Sequence, residues 1–193
     1  MDVLLALCIG IGLSAACGFR IFVPMLVMSI AANSGHLDLA YGFEWIGSPV
    51  ALVAFAIATA IEIAAYYVPW VDNLLDTIAT PAAVIAGTVA TAAAVSDTSP
   101  LLQWSLAIIA GGGIAAGVQV ATGTLRAAST ALTGGLGNSA VSTGEAGGSL
   151  LLAFLAVAVP VVAAAVVLIL FAWAGHKLYQ RYKKREAIHP VAA

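Results

Sequence analysis

The chain has 193 residues, 62% of them hydrophobic and only 8% charged, with a formal net charge of −2 and a mean hydropathy of +1.06. A soluble domain carries about 25% charged residues. One of this length has too little interior to hide so much apolar surface, so lipid is the expected solvent for much of the chain.

Long runs of Ala, Leu, Val and Gly, without sustained alternation, favour helices over a barrel, whose strands must alternate lipid-facing and lumen-facing residues. The expected class is an all-α membrane protein forming a single domain over residues 1–193. Five of the seven basic residues (Lys177, Arg181, Lys183, Lys184 and Arg185) fall in the last 17 positions. The positive-inside rule places that tail, residues 181–193 above all, in the cytoplasm. It is too short and too mixed to argue for nucleic acid; anchoring at a membrane surface is the simpler reading. Cys8 and Cys17 lie in an apolar run with no Cys-x-x-Cys spacing and no neighbouring histidine. They read as small apolar residues, so no metal and no cofactor is expected.

Segment one covers residues 3–32 and contains Gly18, Arg20 and Pro24. Thirty helical residues would span roughly 45 Å against a hydrocarbon core of about 30 Å. The helix therefore either tilts and protrudes or breaks around residues 18–24, where a break would help to solvate Arg20. Residues 33–47 form a polar, aromatic loop in which Tyr41, Phe43 and Trp45 suit the headgroup region. Segment two, residues 48–68, carries Glu62, an ionisable residue inside an apolar run and so a functional candidate by default. Pro69 ends it, with Tyr66, Tyr67 and Trp70 marking its interfacial end.

A short amphipathic helix is expected over residues 72–80, with Asp72, Asn73, Asp76, Thr77 and Thr80 on one face and Val71, Leu74, Leu75 and Ile78 on the other. Pro81 then opens segment three, which ends near Val95. Segment four, residues 101–132, holds Gly111, Gly112, Gly113 and Gly117, small residues that let helices approach closely. It also holds Gln119 and Arg126, which need polar partners. The glycine-dense stretch 133–145, with Asn138 and Glu145, reads as a loop able to expose N–H groups to an anion or a pathway. Segment five runs over residues 149–175.

Residues 1–95 and 101–180 look like two copies of one unit. At an offset of 101, Gly10 and Gly12 match Gly111 and Gly113, and the Glu-x-x-Gly-Ser beginning at Glu44 matches the one beginning at Glu145. Three membrane passes separate the starts of the copies, so they should be inverted, an arrangement common among transporters.

Three stretches together carry a family resemblance: Gly-Phe-Arg-Ile-Phe-Val-Pro at residues 18–24, Glu62 with the Tyr-Tyr-Val-Pro-Trp-Val-Asp-Asn-Leu-Leu-Asp that ends at Asp76, and Ser-Thr-Ala-Leu-Thr-Gly-Gly-Leu-Gly-Asn ending at Asn138. Over nearly its whole length the chain resembles domain-of-unknown-function family 4126, small bacterial integral membrane proteins. The resemblance implies a multi-pass α-helical protein of the bacterial inner membrane and no particular substrate. One departure is Ser139, which follows Gly-Asn where proline is expected.

Transport is the function these features favour. Arg20 and Arg126 would meet an anion or a lipid phosphate, while Glu62, Asp72, Asp76, Asn138 and Glu145 complete the expected ion or solute pathway. Pairing of Arg20 with Glu62 would lower the cost of burying both. The competing reading is a non-transporting scaffold whose glycine faces serve assembly with lipid-embedded partners or a second copy of the chain. Catalysis is not expected, since no nucleophile–base pair or His-Glu-x-x-His occurs.

Overall fold

The computed structural model describes residues 2–96 and 98–188; the side chains at positions 69, 70, 72, 73, 76 and 184–188 lie outside the described set. Among the described residues the chain is all-α. Its helices are α1 (Val3–Phe19), α2 (Phe22–Asn33), α3 (Pro49–Ala65), α4 (Pro69–Ala94), α5 (Pro100–Leu106), α6 (Gly113–Thr133), α7 (Asn138–Ala158) and α8 (Pro160–Ile188). A π-helical turn, Ala107–Gly112, joins α5 to α6 in one helical stretch, Pro100–Thr133. Among the described residues, four helical stretches are long and apolar enough to cross a membrane: Thr77–Ala94, Pro100–Thr133, Asn138–Ala158 and Pro160–Lys183. Helices α1, α2 and α3 are apolar but shorter. The pattern fits a multi-pass membrane protein.

Segment one breaks. Residue 20 has an extended backbone (φ −145°, ψ 136°) between α1 and α2. Pro24 explains the position, because a proline ring clashes with the carbonyl four residues earlier, here that of Arg20. Within the first turn of α2 the same proline is harmless, since N–H groups there have no intrahelical acceptor.

The two halves fold back on each other as a hairpin. Gly10 meets Thr91 and Ser14 meets Gly87, so α1 runs antiparallel to α4, and its amino end lies beside the carboxyl end of α4. The carboxyl end of α2 returns to that same end of the bundle. There Ser29 Oγ donates to the Ile46 carbonyl at 2.6 Å, and the Ala40 amide donates to the Ala93 carbonyl at 2.8 Å. This is the loop end. The opposite, tail end holds the turns at residues 66–68 and 134–137 and the Lys/Arg-rich end of α8.

Three expected boundaries are corrected. Residues 149–175 are not one pass: α7 ends at Ala158, and the chain reverses at Val159 into α8, so that Ala156 and Ala163 both meet Gly12. Pro160 explains the position, since its ring clashes with a helical carbonyl four residues earlier. Residues 72–80 are not a separate helix: α4 starts at Pro69 and runs straight through Pro81. Pro69 at the first helical position costs nothing, and a proline inside a helix in lipid is tolerated where neighbouring groups take up the freed carbonyl. Residues 138–145 are not loop but the first two turns of α7. The chain reverses before them at Gly134 and Gly135, whose φ values of 65° and 92° lie in the left-handed region that a side chain resists.

Helix α1 is the central element, packed against α4, α6, α7 and α8. A Cβ placed on Gly12 would lie 2.6 Å from the Ala156 Cβ, so the α1–α7 approach depends on the bare glycine. Hydroxyls pin the same seam. Ser14 Oγ lies 2.7 Å from both the Gly87 carbonyl and Thr91 Oγ1, and Ser149 Oγ donates to the Ala16 carbonyl at 2.9 Å. We expect Gly12→Val to cost about 1–3 kcal/mol through overpacking, read as a lowered unfolding midpoint in mixed micelles. The same change at Gly123, where a Cβ meets nothing within 4 Å, should leave the midpoint unmoved.

Candidate functional site

The break in segment one sends the Arg20 side chain into the bundle, where it is 1% exposed. Nη2 donates to the Ser142 carbonyl at 3.0 Å and also to Ser142 Oγ. The same nitrogen lies 3.2 Å from Glu145 Oε2. Arg126 reaches that carboxylate from α6. Its Nε donates to Glu145 Oε1 at 3.0 Å and its Nη2 to Oε2, a two-point pairing that guanidinium geometry favours. Antiparallel α6 and α7 place Arg126 and Glu145 at matching distances from the turn between them. Both residues are 4% exposed.

Tyr66 closes the cluster. The chain turns just after α3, and the Tyr66 ring comes to rest against both guanidiniums, with its centroid 3.7 Å from Arg20 Cζ and 4.2 Å from Arg126 Cζ. A cation on an aromatic face gains about 0.5–2 kcal/mol, more when water is excluded. One carboxylate thus serves two buried cations, and the Tyr66 ring lies against both. Arg20 remains under-satisfied, because its Nε and Nη1 are buried without a hydrogen-bond partner. Buried polar groups normally have partners, and exceptions of this kind point to strain or to a role.

Glu62 does something different from what its sequence position suggests. The expected Arg20–Glu62 pair is replaced: Arg20 pairs with Glu145, while Glu62 accepts from the Ile21 amide at 2.8 Å and the Phe22 amide at 3.0 Å. It caps the amino end of α2, satisfying two donors that the break had left open. A carboxylate there also complements the helix dipole.

The structure therefore brings Arg20, Arg126 and Glu145 into direct contact, with the Glu62 carboxylate on the amides of the two residues that follow Arg20. It does not bring Asn138 to them. Asn138 Nδ2 donates to Thr130 Oγ1 at 3.0 Å, which ties the start of α7 to the last turns of α6. The side chains of Asp72 and Asp76 lie outside the described residues. Glu44, the in-register counterpart of Glu145, accepts from the Gly42 amide at 2.8 Å in the loop.

Sequence reasoning missed Ser142, Ser149 and Tyr66. On a helix, Ser142, Glu145 and Ser149 share one face, and all three are buried. That spacing was readable, but only once the stretch was taken as helical.

A cavity of about 400 Å³ lies between α3, α4 and the start of α2, bounded by Ile21, Phe22, Ala58, Ile61, Glu62, Ala65, Tyr66, Leu75, Ile78, Ala79 and Ala82. Its walls are apolar except where Glu62 and Tyr66 close one part of them.

No curated protein and no solved structure matches the chain. The family described as Domain of unknown function (DUF4126) matches residues 7–180, a span that contains Arg20, Glu62, Tyr66, Arg126 and Glu145 alike, and the chain belongs to that family.

Proposed function

We propose that the chain is a small transporter of the bacterial inner membrane that moves an anion, a small anionic solute or a lipid phosphate, with Arg20 and Arg126 as its binding cations. The observation that carries this reading is Arg20, a buried guanidinium with two nitrogens that make no hydrogen bond. Charges at such depth are costly and mark substrate or ion pathways. In this reading five full passes (α3, α4, the stretch Pro100–Thr133, α7 and α8) surround the α1–α2 hairpin, which enters from the loop end. The amino terminus is outside and the Lys/Arg tail is cytoplasmic, following the positive-inside rule.

A duplication, halves 1–95 and 101–180, is part of the proposal and rests on the in-register Glu-x-x-Gly-Ser pair. The expected inversion is not kept, because Gly10 and Gly111 both meet Thr91 while Ser14 and Ala115 both meet Gly87, so α1 and the stretch Pro100–Thr133 run in the same direction against α4. The two copies differ at the break, since the stretch of α6 that matches residues 20 and 21 is unbroken. Glu62, Asp72 and Asp76 are the proposed proton- or cation-handling residues of the same pathway. A scaffold role draws less support, because Gly10, Gly12, Gly18, Gly87 and Gly111 are used in packing within the chain.

The test is flux. Purified protein in phosphatidylcholine liposomes should release trapped phosphate or an organic monoanion faster than empty liposomes, with no change for sodium or potassium. Arg20→Gln should lower that flux at least tenfold. Cation flux that Arg20→Gln leaves untouched would sink the anion reading.

A further inference from the structure

We infer that the cleft between α3 and α4 is a binding site for an amphipathic anion, a molecule with one acidic head and a hydrocarbon body, whose head is received by Arg20 and whose body lies along Ile61 and Ile78. The inference rests on the transport reading of the same cluster and assigns its substrate class.

The cleft supplies the apolar half of the argument. Its volume, about 400 Å³, falls within the range of small-molecule sites, about 300–1,000 Å³. Ile61 and Ile78, on facing helices, are 63% and 55% exposed, so the cleft opens sideways to the lipid-facing surface rather than to an aqueous loop. An inorganic ion gains nothing from such walls, and the hydrocarbon of a lipid-like ligand gains contacts along their whole length.

The polar half lies at Tyr66. This residue borders the cavity and its ring also holds both guanidiniums, so the cleft ends on the side chain that separates it from the cations. Glu62 is engaged by the amides of Ile21 and Phe22. The two unbonded nitrogens of Arg20 are donors of the kind that a carboxylate or phosphate oxygen accepts. Movement of the Tyr66 ring, placed in the short turn between α3 and α4, would join cleft and cations into one site.

The experiment measures saturable binding to the full chain in phosphatidylcholine nanodiscs, using dodecyl phosphate, dodecanoate, dodecanol and inorganic phosphate as separate probes. Dodecyl phosphate or dodecanoate should bind, and whichever is tighter identifies the head group. Dodecanol and inorganic phosphate should each bind at least tenfold more weakly. Arg20→Gln should weaken the acidic probes at least tenfold, and so should Ile61→Trp, an exposed position where a larger side chain narrows the cleft without touching the cluster. Inorganic phosphate binding as tightly as dodecyl phosphate, or Ile61→Trp leaving the affinity unchanged in a folded protein, overturns the inference. So does flux of an inorganic anion by a protein that binds neither acidic probe. Binding without flux keeps the ligand assignment and removes only the transport reading.

Discussion

Glu145→Gln should be the most damaging single substitution in the chain. It leaves Arg20 and Arg126, 1% and 4% exposed, facing each other across a neutral amide, and breaking a buried pair by removing one partner costs about 3–5 kcal/mol. Here one carboxylate serves two cations, so the upper part of that range is expected, read as the loss in unfolding free energy in mixed micelles. Adding Arg126→Gln should recover part of the loss, because charges that touch are coupled and their single losses do not add. Arg20→Gln added to Glu145→Gln should recover a smaller part, since Arg20 meets the carboxylate through one nitrogen at 3.2 Å while Arg126 engages both of its oxygens. Strictly additive losses in both cycles would show that the cluster does not act as a unit.

The architecture was readable in the sequence wherever a single residue type forces the backbone. Composition alone excludes a soluble domain, and Pro24 marks the break at Arg20 because its ring cannot coexist with a helical carbonyl four residues earlier. The direction of the chain after the break was not readable. Periodicity reports which face of a helix is apolar and says nothing of whether the next helix continues or doubles back. Pro81 misled for a related reason. Its local signal is a helix start, but in an apolar environment an unbroken helix keeps the remaining backbone groups bonded, and that outweighs one lost hydrogen bond.

The site followed the same division. Arg20, Glu62 and Arg126 stand out as charges in apolar stretches, yet the bond from Arg20 to Ser142 joins positions 122 residues apart, which no local rule supplies. Glu145 was concealed by Gly144, Gly147 and Gly148, which look like loop and turn out to be helical. In the sequence Tyr66 reads as an interfacial aromatic beside Tyr67 and Trp70. Only the turn after α3 carries its ring under the two guanidiniums.

Glu62 provides the sharpest separation between the sequence reading and the structure. Were it a partner of Arg20, Glu62→Gln and Glu62→Leu should be equally harmful, because both remove the charge, and Arg20→Gln should rescue either one. As the cap of α2 it predicts a ranking instead. Glu62→Leu removes both acceptors from the Ile21 and Phe22 amides, where apolar surroundings offer no substitute, at about 1–3 kcal/mol for each donor left unsatisfied. Glu62→Gln keeps one carbonyl oxygen and should retain about half of that stabilisation. With Arg20→Gln the losses should be close to additive, and the coupling smaller than that between Arg20 and Glu145, since Glu62 acts on Arg20 only through space. Hydrogen exchange at the Ile21 and Phe22 amides gives a second readout: protection should fall sharply in Glu62→Leu and only slightly in Glu62→Gln, while Glu145→Gln should leave it near the wild-type value. Equal unfolding losses for the two Glu62 variants, with rescue by Arg20→Gln, would return Glu62 to the ion pair that its sequence position suggests.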